Sequence, residues 1–409
     1  MKRLKKILTR KIIIWLVLLL FILTTASFFI LSPVKSILFL RIIDDASLNN
    51  QFWTNLIIFD CSWQQKRKID CYDDKIASLA EQIDLEKAFE ITKEIELQDD
   101  NYKYCHVVAH KIAAAEVRKD PDNWKEVINR CPVNQCANGC IHGVFQEKYK
   151  VENLSSSQID LIKSEFKNIC AATAAWQPTS NEQSSCYHAL GHLFVYMSNA
   201  DIDKSINLCD EITPNDNQMS RFCYEGAFMQ VFQILEPEDI ALVKNIKPTS
   251  THEAVSFCSD FKHNPLAHAS CINQSWPLSI KQLKQNPVYI NEFCKDAEPD
   301  LKKLCTGPVI SIMPIQFNFN QSKLLNYCQA LPDNMHQDCI NIVASRMITS
   351  DGVLREKAVN FCVHSPEKYQ EGCFITLISE LKNEKILNSE NKSQICRLFP
   401  EDFTYSCLY

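Results

Sequence analysis

Cys294, Cys328, Cys362 and Cys396 stand 34 residues apart, and so do Cys305, Cys339, Cys373 and Cys407. Two cysteine series on one period mark a repeat array, which restricts the chain to one supersecondary unit stacked on copies of itself. The four units read CKDAEPDLKKLC, CQALPDNMHQDC, CVHSPEKYQEGC and CRLFPEDFTYSC, each with proline followed by an acid between its cysteines. With longer connectors the same frame continues toward the N-terminus at Cys258/Cys271, Cys209/Cys223, Cys170/Cys186 and Cys61/Cys71.

A pair of helices explains the frame. Short amphipathic stretches such as KLLNYC and EKAVNFC precede each first cysteine and predict a first helix. Proline cannot continue a helix and pushes the residue before it out of the α region, so Pro299, Pro332, Pro366 and Pro400 mark the turns. Apolar-periodic runs such as CINIVASRMI and CFITLISEL follow the second cysteine and predict a second helix. One helix therefore ends, and the next begins, at the same edge of the molecule. A disulfide across that corner, closing so short a loop, is worth about 2–3 kcal/mol.

Bonding to the following repeat is geometrically possible, but it would orphan Cys61 and Cys407 at the two ends of the series. Local pairing uses sixteen of the twenty cysteines and leaves Cys105, Cys131, Cys136 and Cys140. Of the connectivities open to four cysteines, Cys131–Cys140 fits the frame, and Cys105 then takes Cys136. No thiol is left for a nucleophile. The expected fold is all-α, with about nine such helical pairs and roughly one disulfide in each.

The N-terminus predicts where the array sits. Lys2, Arg3, Lys5, Lys6, Arg10 and Lys11 make residues 1–11 a basic tail without an acid, and Ile12–Leu31 follows with no charge at all. That run is long enough for a membrane-spanning helix. The basic flank belongs in the cytoplasm, so the chain beyond it is expected outside, in a periplasmic or extracellular space. A cleaved signal peptide ending near Thr24-Thr25-Ala26 competes with an uncleaved anchor, but the apolar run continues past it through Phe28–Leu31. Twenty cysteines agree with export to an oxidising compartment. Residues 32–52 read as a juxtamembrane linker, 53–250 as histidine-containing repeats and 251–409 as the regular repeats.

Charge and glycine content exclude other classes. The first 41 residues take eight of the 43 basic side chains and none of the 49 acids, which leaves the remainder at a formal charge of −14. Such a surface does not suit nucleic acid. Seven glycines in 409 residues leave no Gly-rich phosphate loop. CANGCIH lacks the histidine directly after the second cysteine that covalent haem attachment needs. Asn153, Asn273, Asn320 and Asn391 sit in Asn-x-Ser sequons.

Five of the ten histidines cluster at the starts of second helices: His106 and His110 after Cys105, His142 after Cys140, His188 and His192 after Cys186. Glu225 holds the matching position after Cys223, Asn273 the one after Cys271, and the later repeats drop the feature. Residues four apart share one helix face, and equivalent positions on neighbouring helices form a ladder. Imidazole and carboxylate are the usual ligands of zinc, iron and copper, so His106, His110, His142, His188, His192 and Glu225 are the candidate metal ligands. The competing expectation is a set of buried histidines that hydrogen-bond between helices and keep the repeats in register. His106 also stands one residue after its cysteine, where His142 and His188 stand two after theirs.

A 34-residue helix–turn–helix period resembles the tetratricopeptide class, and a disulfide per unit resembles its cysteine-rich exported relatives. The resemblance covers most of residues 53–409 in architecture only, since the Trp, Leu-Gly and Tyr positions of the tetratricopeptide consensus are missing. It implies an α/α-solenoid and, because such arrays commonly bind proteins, a protein or peptide partner on the solenoid face. The functional expectation is a membrane-anchored binding scaffold carrying a zinc, iron or copper site in its N-terminal repeats. The alternative is an exported metalloenzyme, a hydrolase or oxidoreductase, built on the same histidines and Glu225.

Overall fold

The computed structural model describes residues 49–64, 67–149, 157, 163, 166–173, 176–233, 237–387 and 391–409. Among them the regular elements are all helical, and no strand occurs. The basic tail, the apolar run 12–31 and most of the linker lie outside the described residues. Among the described residues no helix is long and apolar enough to cross a membrane.

The helices come in pairs. The second members are α1 (Lys68–Ala80), α2 (His106–Lys119), α3 (Gly139–Lys148), α4 (Ser180–Met197) and α5 (Asn217–Phe232). They continue as α6 (Pro265–Gln274), α7 (Lys302–Gln316), α8 (His336–Ser350), α9 (Glu367–Asn383) and α10 (Glu401–Leu408). Pro366 and Pro400 cap α9 and α10, while Pro299 and Pro332 open the short 3-10 turns that lead into α7 and α8. A fixed φ and a missing N–H cost nothing at a helix start, which is why the prolines fall there.

Ten disulfides close the corners. Nine join Cys61–Cys71, Cys131–Cys140, Cys170–Cys186, Cys209–Cys223, Cys258–Cys271, Cys294–Cys305, Cys328–Cys339, Cys362–Cys373 and Cys396–Cys407, with Cα atoms 5.5–5.9 Å apart. The tenth, Cys105–Cys136, bridges a sequence separation of 31 with its Cα atoms 4.8 Å apart. No cysteine among the described residues is free, and the pairs coincide with those of the local frame. Nine of these bonds tie a first helix to its second, so those second helices begin at one edge, while Cys105–Cys136 ties the cap of α2 to the turn before α3.

From α1 to α10 each second helix packs on the next. An open solenoid would keep its first and last repeats apart, whereas here the stack turns back on itself. Helix α8 packs against the turn Cys136–Asn138, and the helix Leu85–Gln98 against the turn Gly352–Leu354. The Cys136 N–H donates to Asp351 at 2.9 Å, the Asn181 N–H to Glu384 at 3.2 Å, and Lys385 Nζ to the Gln177 carbonyl at 3.2 Å. The physical reason lies in the spacing of the layers. Where inner helices approach more closely than outer ones, each repeat adds curvature, and enough curvature brings the ends together.

Asp351 makes the most buried of these closing contacts, at 3% exposure. Burial pushes its carboxyl above the usual range, and the N–H groups of Cys136 and Val353 pull the other way. Asp351→Ala leaves the Cys136 N–H without its acceptor, so stability should fall by about 1–3 kcal/mol. Denaturant unfolding of the oxidised protein measures the loss, and an unchanged midpoint would show that the closing contact does not hold the array.

Candidate metal centre

The histidines meet because their helices approach at glycines. Gly139 and Gly143 of α3 lie against the backbone of His106 and His110 in α2, and a Cβ at either would run into those carbonyls. Helices α4 and α5 make the same contact reciprocally: Gly191 faces the Cys223 carbonyl, and Gly226 faces the His188 carbonyl. Side chains at such crossings normally hold helix axes about 8–10 Å apart. Four glycines remove that spacer, and the neighbouring histidines are carried inward with the backbone.

Nitrogen atoms of His106, His110 and His142 lie within 4.8 Å of one another, and all three residues are buried. Ring centroids are 4.7 Å apart for His106–His110, 5.0 Å for His106–His142 and 5.3 Å for His110–His142. His142 also reaches the other pair, at 5.4 Å from His188 and 5.7 Å from His192. The one-residue slip of His106 is absorbed locally. Cys105 is the cap of α2, so His106 opens the helix, whereas Cys140 already lies inside α3.

Hydrogen bonds at the far nitrogens orient the rings. His106 Nδ1 is 3.1 Å from the Cys136 carbonyl, which can only accept, so the proton sits on Nδ1 and Nε2 keeps a bare lone pair. A ligating histidine typically gives its second N–H to a carbonyl in this manner. In each pair the two Nε2 atoms stand 3.2 Å apart, His106 with His110 and His188 with His192. Two imidazole nitrogens about 2.0 Å from one tetrahedral ion are separated by about 3.3 Å.

The Cys136 carbonyl owes its position to an unusual turn. Cys136, Ala137 and Asn138 have φ of 51°, 47° and 57°, three consecutive side-chain-bearing residues in the left-handed region. Each such residue costs on the order of 1–3 kcal/mol and persists only where its surroundings enforce it. Here the Cys105–Cys136 disulfide and the Asp351 hydrogen bond do so. The Cys105, Cys136 and Asp351 ligand-type atoms also lie together, but the two sulfurs are bonded to each other and offer no thiolate.

Burial holds His106, His142 and His188 well below the usual imidazole range, and the adjacent histidines add to the effect. At neutral pH these rings are therefore neutral, the form that binds a metal. His106, His142 and His188 line a cavity of about 470 Å³ together with Tyr104, Arg221 and Arg346. Glu225 lines it too, but its carboxylate accepts from Arg221 and from Asn273, each at 3.0 Å. Glu225 thus stands in the wall beside the histidines with two partners of its own. Asn273 is 1% exposed, which closes its sequon to glycosylation in the folded chain.

A hydrogen-bonded ladder without metal remains the competing arrangement. It requires each 3.2 Å contact to carry a proton on one Nε2. The His188–His192 pair meets this with the proton on His188 Nε2, because His192 Nδ1–H then donates to Gln230 Oε1 at 2.6 Å. Sequence reasoning missed Gln230, the Cys136 carbonyl, Tyr104 and Arg346, none of which carries a ligand signature. It also missed the crossings, for which a signal existed: four of only seven glycines fall in the helices that bear the histidines and Glu225. Compared with known protein families, curated proteins and solved structures, the chain matches none.

Gly191→Ala drives a methyl into the Cys223 carbonyl and should cost about 1–3 kcal/mol by overpacking. Gly307→Ala is the control, because its Cβ would meet only Ile342 Cδ1 at 4.0 Å. The helical gain of that exchange is opposed by the Pro308 ring against the new Cβ, so the variant should lose less than Gly191→Ala. Equal midpoints for the two variants in thermal unfolding would remove the close crossing as the cause of the histidine cluster.

Proposed function

We propose that this protein is an exported, membrane-anchored helical-repeat protein that holds a transition metal on His106, His110 and His142. One observation carries the reading: three buried imidazoles with nitrogens inside 4.8 Å, one of them locked by a carbonyl so that its lone pair faces the others. A site of neutral imidazoles suits zinc, copper or iron and disfavours calcium and magnesium, which need oxygen ligands. The basic tail and apolar run support the anchor, and ten disulfides support an oxidising compartment. A protein or peptide partner bound by the repeats belongs to the same proposal and rests on the habit of helical arrays.

A metalloenzyme is the second reading, and the cavity favours it. Three protein ligands leave a fourth position, the arrangement of catalytic rather than structural zinc sites. Beside it Arg346 lines the cavity, together with Arg221 and Lys303, which pair with Glu225 and Asp338. Such a lining suits a small anionic substrate.

Elemental analysis of the purified, oxidised full-length protein tests the reading. At least about one equivalent of zinc, copper or iron is expected, and a His106→Ala/His142→Ala variant should hold about one equivalent less. Chelation should lower the unfolding temperature of the parent, since free ligand at about 100 times its Kd adds about 2.7 kcal/mol to stability. Metal content unaffected by the double substitution would make these histidines structural.

A further inference from the structure

We infer a second metal position, on His188, His192 and Met229, with a donor set that selects copper. It deepens the reading above by adding a site of different chemistry to the same cavity, and its own ligands carry it independently. His188 Nε2 stands 3.2 Å from His192 Nε2 and 3.4 Å from Met229 Sδ. A single ring nitrogen has one proton or one lone pair to offer, so His188 Nε2 can hydrogen-bond to only one of these two neighbours. Whichever contact carries the proton, the other is left without one. A cation among the three atoms satisfies both.

The distances fit one ion. Metal–nitrogen bonds of about 2.0 Å and a metal–sulfur bond of about 2.3 Å place tetrahedral N–N and N–S edges at about 3.3 and 3.5 Å. The second shell is complete as well, because the His192 Nδ1 faces Gln230 Oε1 at 2.6 Å. Met229 lies one turn beyond Glu225 on α5, and both line the cavity with His188, so an ion has a route in. The Gly191 and Gly226 crossing is what brings α5, and with it the Met229 sulfur, against α4.

The chemistry separates the two positions. Three imidazoles at His106, His110 and His142 accept zinc or copper alike, whereas a thioether is a soft ligand that favours Cu(I) and contributes little to zinc. His142 stands between the two groups, its ring centroid 5.0 Å from His106 and 5.4 Å from His188. The result is a pair of neighbouring metal positions, one without sulfur and one with it.

The test loads the oxidised full-length protein with ascorbate-reduced copper, separately with zinc, and compares the parent with Met229→Leu and His188→Ala/His192→Ala. Leucine conserves the volume of Met229, so folding is retained, and unchanged thermal unfolding of the metal-free variant verifies this. X-ray absorption of the copper-loaded parent should show sulfur scattering at about 2.3 Å that vanishes in Met229→Leu, with Cu(I) affinity reduced about tenfold or more and zinc affinity unchanged. Copper bound with nitrogen ligands alone, or affinity indifferent to Met229, would overturn the second site. A parent protein that holds only the sulfur-ligated copper, with no equivalent lost in His106→Ala/His142→Ala, would support the second site while sinking the first, so the two readings fail separately.

Discussion

A disulfide closes the corner of every helical pair but the one that ends in α2, and the internal register of the array depends on these bonds. By tying the end of a first helix to the start of a second, the bond sets the height at which each inner helix begins. Side chains at one offset from their cysteines then come to one level of the inner wall. His142, His188, Glu225 and Asn273 all stand two residues after their cysteines, and all four are brought to the same region. Without the corner bonds, helices joined by connectors of unequal length would have nothing to keep that level common.

Packing at glycine then converts a shared level into contact. A ladder on helices at ordinary spacing would hold its rungs too far apart for one ion. At the α2–α3 and α4–α5 crossings the missing Cβ atoms let backbone rest on backbone, which brings the His142 ring to 5.0 Å from that of His106 and Met229 Sδ to 3.4 Å from His188 Nε2. Burial follows from the same crossings, and burial keeps the rings neutral. Closure of the array adds the remaining wall: Arg346 of α8 lines the cavity that holds His106 and His188, and Asp351 anchors the turn whose carbonyl orients His106.

Helical pairs and the disulfide frame were legible in the chain because they rest on short-range rules. A proline before an acid marks each corner, although Pro308 and Pro314 are accommodated inside α7, and a cysteine pair 11 residues apart at a corner has one short partner. The candidate ligands were legible for a related reason, since His-x3-His occupies one helix face whatever the helix packs against. Met229 was not legible. A methionine in an apolar helix is ordinary core filling, and only its position against His188 gives the sulfur another meaning.

What the sequence determined by itself is therefore the local unit: its two helices, its turn, its covalent corner and the face on which each histidine lies. Tertiary structure alone decided how near neighbouring faces come, which ring nitrogens keep free lone pairs and whether the ends of the array meet. Those properties depend on contacts between residues far apart in the chain, such as Cys136 with Asp351 and Asn181 with Glu384. No local propensity encodes such contacts. Imidazole, thioether and carbonyl become a site only when packing sets them within bonding distance of one point.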